Sequence, residues 1–250
     1  MLRRETWLIV VAVVCASCGA APEHADGDPK TEGLVRRYLS DNPEFLLDNP
    51  EILEKVRQAG RERQERRATT ARRALLEARA RVVVDPELTP VTGAVDGSVT
   101  IVEFSDYQCV PCKASYPVLA AAAASDPELR FVHKQLPVYG SHSVLAARAA
   151  TAAHRQGRFE MFHDALMTNT APLSAERLYE LAGAVGLDVD RLREDMRDSQ
   201  LIAYLAAVKD LAEELGIDAT PTFIVGDRLL RGGLSDDLLR ASVAEARASS

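Results

Sequence analysis

Cysteine is scarce in this sequence, with four residues in a chain of 250. Cys15 and Cys18 lie near the N-terminus, so Cys109 and Cys112 are the cysteines of the remaining body. Two cysteines are too few for a tetracysteine zinc site. The histidines of the body lie nine, twelve and nine residues apart, at His133, His142, His154 and His163. This spacing is not that of a zinc finger, and we expect no metal site.

A long hydrophobic run is also missing from the N-terminus. The apolar stretch from Trp7 to Ala16 is short for a membrane span, which needs about 20 such residues. Arg3 and Arg4 precede it and small residues follow it, which is the pattern of an export signal. We therefore expect a signal peptide over residues 1–20 and a protein exported to the periplasm or cell envelope.

The end of this signal resembles that of a bacterial lipoprotein, because Cys18 follows Ala16 and Ser17. Under this alternative the signal ends before Cys18, and a lipid on Cys18 anchors the protein to the membrane. Cys15 stands where such signals normally carry a leucine-like residue, so cleavage without lipidation is the favoured expectation.

Residues 34–81 have the composition of a helical segment, after a polar and flexible tether at 21–33. Its first part, 34–56, contains the near-repeat DNPEFLL and DNPEILE, in which an Asx residue, proline and glutamate form a helix start. The apolar side chains of 34–56 belong to a segment too small to form its own core. We expect them to contact a second copy of the chain.

The second part of this segment lacks two features that would suggest other roles. Residues 54–81 carry ten Lys/Arg and four Asp/Glu, whereas the whole chain has a net charge of −7. No apolar coiled-coil repeat accompanies these arginines before Leu75. No aromatic residue is interleaved with them either, so we expect a solvated connecting helix and no nucleic-acid partner.

From residue 82 to 250 the pattern predicts one α/β domain. Apolar runs rich in β-branched residues alternate with helical periodicity, and glycines stand at the ends of several helices. The expected strands are at 99–104, 130–136, 222–225 and 228–231. The expected helices are one that begins at the cysteine pair, a helical insert at about 141–215, and a last helix at 235–246.

The motif Cys109-Val110-Pro111-Cys112 lies between a strand and a helix. Cys109 at a helix N-terminus is expected to be exposed and ionised, because the helix dipole stabilises a thiolate. Cys112 is one helical turn further on and can attack a mixed disulfide formed by Cys109. A structural disulfide is the weaker alternative, because so short a loop constrains little of the unfolded chain.

The stretches SDYQCVPCK, HKQLP, SVLAARAATAAHRQGRFEMFHDALM and ATPTFIVG together resemble the DsbA-like branch of the thioredoxin superfamily, over about residues 90–246. The resemblance implies a thioredoxin fold with a helical insertion and thiol-disulfide exchange on exported proteins. It implies that Thr220 and Pro221 form a cis-proline loop that binds substrate. It also implies that Glu103 is a buried acid that relays protons. Relatives more often have Pro followed by an aromatic residue or His between the cysteines. Because Val110-Pro111 departs from this pattern, the resemblance implies the exchange chemistry but not the value of the redox potential.

The resemblance also implies what the protein works with. We expect no cofactor beyond a redox-active Cys109–Cys112 disulfide, and as partners exported cysteine-containing proteins and a membrane redox protein that is DsbB-like, VKOR-like or DsbD-like. The N-terminal segment resembles the oligomerisation segments of exported disulfide isomerases and ScsC-like proteins, which favours an isomerase or reductase as the runner-up. The alternative from another class is a tethering protein whose two thiolates hold copper(I). His133, His154 and His163 are expected to be packing or surface residues.

Overall fold

The structure is a computed structural model that describes residues 28–249. These residues belong to two compact units, with the boundary between Glu62 and Arg63. The expected signal peptide at 1–20, Cys18 and residues 21–27 of the expected tether lie outside the described residues.

The first unit contains the helices α1 (Pro29–Asp41) and α2 (Glu44–Asp48) and the beginning of α3 (Pro50–Ala78). Helix α1 begins inside the segment 21–33 that the sequence predicts to be a flexible tether. The reason is local, because Asp28 accepts a hydrogen bond from the backbone of Lys30 and Pro29 occupies the first turn. No residue of α1 or α2 is buried.

The second unit contains five strands and the remaining helices that the structure describes. Its strands are β1 (Val91–Gly93), β2 (Val99–Ser105), β3 (Leu129–Gln135), β4 (Thr222–Val225) and β5 (Arg228–Arg231). Its helices after α3 are α4 (Ala80–Val83), α5 (Val110–Ser125), α6 (Ser141–Arg155), α7 (Phe159–Thr168), α8 (Ala175–Ala184), α9 (Val189–Asp195), α10 (Ser199–Glu214) and α11 (Asp236–Ala248).

The strands form one sheet in the order β1-β3-β2-β4-β5. Strands β2 and β3 are parallel and are joined by α5, whereas the other neighbouring pairs are antiparallel. The helices α6 to α10 are inserted between β3 and β4. The edge strand β1 is the element that the sequence pattern does not predict, since it has three residues and no apolar alternation.

Both faces of the central strands are covered. Ile101 packs in one cluster with Leu119 of α5 and Leu239 of α11, while Val102 and Ile224 pack with the inserted helices on the other face. Fully burying such a side chain contributes about 1.5–3 kcal/mol. Because neither face of β2 and β3 meets water, a polar side chain in these strands needs a partner inside the protein.

Lys134 of β3 shows how this requirement is met. Its side chain is fully buried, and Nζ donates to Tyr204 Oη at 2.9 Å, to Thr89 Oγ1 at 3.0 Å and to the carbonyl oxygen of Val82. Burial lowers the pKa of Lys134 to about 7. This one amine therefore joins the sheet to α10 and to the chain that follows α3.

Candidate active site around Cys109 and Cys112

A short loop after β2 positions the cysteine pair at the start of α5. The Asp106 carboxylate accepts a hydrogen bond from the backbone of Gln108 at 2.7 Å, and the Asp106 carbonyl oxygen accepts one from the backbone of Cys109 at 3.1 Å. Cys109 is the N-cap residue of α5, and its sulfur accepts the backbone N–H of Cys112 at 3.2 Å. The sulfur thus takes the place of the oxygen that usually caps a helix.

The expectation that Cys109 is exposed is wrong. Both cysteines are free thiols with no exposed surface, whereas Val110 between them is 76% exposed. The Cys109 sulfur lies 3.3 Å from the carbonyl oxygen of Thr220, so the loop before β4 covers it from one side. Solvent therefore meets the residues between the two cysteines and not the sulfurs.

The two thiols differ in ionisation. The pKa of Cys109 is lowered to about 6, chiefly because the Cys112 thiol donates to its sulfur, with smaller help from the backbone N–H of Cys112. Desolvation by burial opposes this shift. The pKa of Cys112 is raised, first by the hydrogen bond that it gives to Cys109 and then by burial. These opposite shifts favour ionisation of Cys109 over ionisation of Cys112.

The loop opposite the cysteines contains a cis peptide bond between Thr220 and Pro221. This is the geometry that the resemblance implies for these residues. The carbonyl oxygen of Pro221 accepts the backbone N–H of Gly232 at 2.9 Å, which ties the loop to the end of β5. The structure therefore brings Thr220 and Pro221 to Cys109, although 111 residues separate Thr220 from Cys109 in sequence.

Asp106 and Tyr139 are site residues that the sequence analysis missed. One carboxylate oxygen of Asp106 accepts the backbone N–H groups of Val138, at 2.7 Å, and Tyr139, at 3.2 Å. The pKa of Tyr139 is raised, first because of the nearby charge of Cys109. The position of Asp106, one residue beyond a buried strand and three before a cysteine, is the signal that could have indicated it.

Glu103 lies on β2 in the middle of the sheet, where the resemblance implies a buried acid. Its side chain is buried on β2, and it stands at the same register position as His133 on β3. The Glu103 carboxylate lies 3.2 Å from Nδ1 of His133, and Nε2 of His133 lies 2.8 Å from Thr92 Oγ1. His133 is therefore a buried polar partner of the acid that we expect to relay protons.

His163 of α7 completes this cluster, although the sequence analysis placed it among packing or surface residues. Its side chain is buried, and ligand atoms of Glu103, His133 and His163 lie within 4.8 Å of one another. Burial lowers the pKa of His163 well below its ordinary value, and the neighbouring His133 adds to the effect. The expectation of no metal site rests on the spacing of the histidines in the sequence. That spacing does not show that the fold brings together His133 and His163, which are 30 residues apart in the chain.

The copper(I) alternative gains no support from the site. In the part of the chain that the structure describes, no histidine, carboxylate or further cysteine forms a ligand cluster with the two thiols. Instead, Cys109 is an N-cap residue with a lowered pKa, and Cys112 lies beside it. Thiol-disulfide exchange needs such a pair, because the second thiol attacks the mixed disulfide that the first one forms.

Comparisons with known proteins agree with this geometry. The family model described as DSBA-like thioredoxin domain matches residues 100–244. The thioredoxin-like oxidoreductase of Silicibacter pomeroyi DSS-3 is 37% identical, with a TM-score of 0.65 over 69% of this chain and 99% of that one. Proteus mirabilis ScsC in a compact conformation is 26% identical, with a TM-score of 0.64 over 89% of this chain and 99% of that one. The thioredoxin fold expected from the sequence is thereby confirmed.

A similar stretch also occurs in curated transport proteins. The Na(+)/H(+) antiporter NhaA 3 of Salinispora tropica is 34% identical over 170 residues, which is 67% of this chain and 26% of the antiporter. The chain thus spans about a quarter of the length of the curated relatives it matches. None of the helices within residues 28–249 is long and apolar enough to cross a membrane.

Proposed function

The chain belongs to the DSBA-like thioredoxin domain family, and we propose that it is an exported thiol-disulfide oxidoreductase. The observation that carries the proposal is the place of Cys109 at the N-terminus of α5, where its sulfur accepts the backbone N–H of Cys112 at 3.2 Å and lies 3.3 Å from the carbonyl oxygen of Thr220, next to the cis Pro221. Its substrates are disulfides and thiols of exported proteins, and its redox centre is the Cys109–Cys112 pair without a further cofactor.

Reduction of a substrate begins at Cys109. The Cys109 thiolate attacks one sulfur of the substrate disulfide, which forms a mixed disulfide and releases the other substrate sulfur as a thiolate. Cys112 then loses its proton, attacks Cys109 and releases the second substrate thiolate, so that the substrate gains two electrons and the Cys109–Cys112 disulfide forms. Oxidation of a substrate is the same sequence in reverse.

Glu103 and the cis-proline loop have separate parts in this scheme. The proton that Cys112 loses before its attack passes to Glu103, a buried acid held by His133. The backbone of Thr220, which contacts the Cys109 thiol, pairs with the substrate chain beside Pro221. The exposed Val110 and Pro111 are the first surface that a substrate meets.

The direction of the reaction depends on a membrane redox protein that keeps the pair oxidised or reduced. A pKa of about 6 at Cys109 lies between the values of about 7 in thioredoxin and about 3.5 in DsbA. We therefore place the potential between those of disulfide isomerase and thioredoxin, at about −180 to −270 mV. A potential in this range is compatible with an isomerase or a reductase. It is also compatible with an oxidase that the membrane redox protein reoxidises after each reaction.

Trapping of mixed disulfides tests the roles of the two cysteines. Cys112→Ser leaves Cys109 able to attack and should accumulate complexes with exported proteins on non-reducing gels of whole cells. Cys109→Ser should accumulate none and should lose reductase activity toward insulin. Equal trapping by both variants would overturn the assignment. Val95→Ala, which alters an exposed residue between β1 and β2, is the control that should behave as the unaltered protein.

A second copy of the chain is the proposed partner of residues 34–56. Large apolar side chains in this range are exposed, including Leu34 at 67%, Leu47 at 73% and Val56 at 55%. Such a surface is typical of a protein contact. Light scattering should give an oligomer for the protein and a monomer after removal of the residues before Val82. A monomer in both cases would remove the proposal without touching the redox function.

A further inference from the structure

The cluster of Glu103, His133 and His163 lines a cavity, and of these three residues the proposed exchange reaction uses Glu103 alone. The cavity has a volume of about 350 Å³ and lies between the sheet and α5, where Leu119, Ala120 and Ala123 form its apolar wall. All three cluster residues line it. A carboxylate and two imidazoles that converge beside an accessible cavity are the ligand set of open zinc sites.

The distances within the cluster fit a bound cation. Zinc lies about 2.0–2.2 Å from nitrogen and oxygen ligands, so tetrahedral ligand atoms are about 3.4 Å apart. Nδ1 of His133 lies 3.2 Å from the Glu103 carboxylate, and the ligand atom of His163 is within 4.8 Å of both. A shift of about 1 Å by the His163 ring would complete a three-ligand site with its fourth position toward the cavity.

The outer nitrogen of each histidine also has the partner that a metal ligand needs. Nε2 of His133 contacts Thr92 Oγ1 at 2.8 Å, and Nδ1 of His163 contacts Tyr107 Oη at 2.9 Å. When these nitrogens donate to the hydroxyl oxygens, the inner nitrogens present lone pairs to the centre of the cluster.

From these contacts we propose that Glu103, His133 and His163 bind one Zn²⁺ ion, with water from the cavity as the fourth ligand. The site contains neither thiol, and it shares Glu103 with the exchange reaction proposed above.

The test uses the full protein with Cys109→Ser and Cys112→Ser, because thiolates would also bind zinc. Equilibrium dialysis against ZnCl₂ should find one Zn²⁺ per chain that a chelator removes. Adding His163→Gln should abolish this binding. Adding His142→Gln should leave it unchanged, because His142 is an exposed histidine on α6 outside the cluster.

A milder variant keeps the test valid if His163→Gln disturbs folding. Thr92→Val removes only the hydroxyl behind His133 and retains the shape of the side chain, and loss of such an outer contact weakens metal affinity about 10- to 100-fold. Circular dichroism verifies the fold of each variant. No zinc bound at millimolar ZnCl₂, or equal affinity in the parent and the Thr92→Val and His163→Gln variants, would overturn the proposal.

Discussion

Removal of the Cys112 thiol tests why Cys109 is acidic. The hydrogen bond from Cys112 is the largest cause that lowers the pKa of Cys109 to about 6. In Cys112→Ala this donor is lost, while the backbone N–H of residue 112 remains in place to cap the helix. In Cys112→Ser the hydroxyl can still donate, so the two variants differ in one hydrogen bond to the Cys109 sulfur.

The size of the effect follows from the charge on the acceptor. A hydrogen bond to a charged group contributes about 1.5–3 kcal/mol, and one pKa unit corresponds to about 1.4 kcal/mol. Cys112→Ala should therefore raise the pKa of Cys109 by about 1 to 2 units. Cys112→Ser should keep it near the value of about 6 found with the thiol.

The assay is the pH dependence of Cys109 alkylation by iodoacetamide, followed by mass spectrometry of the peptide that contains it. The midpoint of the profile is the quantity to compare, because intrinsic thiolate reactivity rises with pKa and obscures rates at a single pH. If both variants titrate near the same low value, the helix N-terminus and the backbone N–H set the acidity and the side-chain hydrogen bond does not.

Three further predictions concern the surroundings of the site. The pKa of Lys134, lowered to about 7 by burial, lies below its unfolded value of about 10.4, so stability should rise as pH increases between these values. Denaturant unfolding should show a gain of about 2 kcal/mol from pH 7 to 9 that Lys134→Met removes, and an unchanged gain in the variant would refute this cause. The pKa of Tyr139 is raised by the charge of Cys109, so ultraviolet titration should find it lower in the oxidised than in the reduced protein, and equal values would contradict the contact. Tyr139→Phe should raise the pKa of Cys109, because it removes the side-chain hydrogen bond between the two residues, and an unchanged midpoint of Cys109 alkylation would contradict that hydrogen bond.

Much of the fold could be predicted from local patterns. The apolar run that contains Glu103 identified a strand, and the cysteine motif after it identified the helix start. Both depend on neighbouring residues, for which sequence spacing is informative. The cis peptide at Pro221 was expected from the family resemblance alone, since an ordinary strand-starting proline has the same sequence context.

Features that depend on distant contacts could not be predicted in this way. Cys109 is buried because the Thr220 carbonyl, 111 residues away, covers a sulfur that its local position would expose. His163 joins His133 because α7 brings it against the sheet, and no periodicity records that contact. A polar residue in a strand covered on both faces, such as His133 or Lys134, is the one sequence signal that a buried partner exists.

The reduction potential of the Cys109–Cys112 pair tests the central claim most directly. The protein would be equilibrated in glutathione buffers of defined ratio, quenched with acid, and the free thiols alkylated and counted by mass spectrometry. We expect reversible two-electron behaviour with a midpoint between about −180 and −270 mV. A pair that remains fully oxidised in reducing buffers, with a potential below about −300 mV, would be a structural disulfide and would contradict the account.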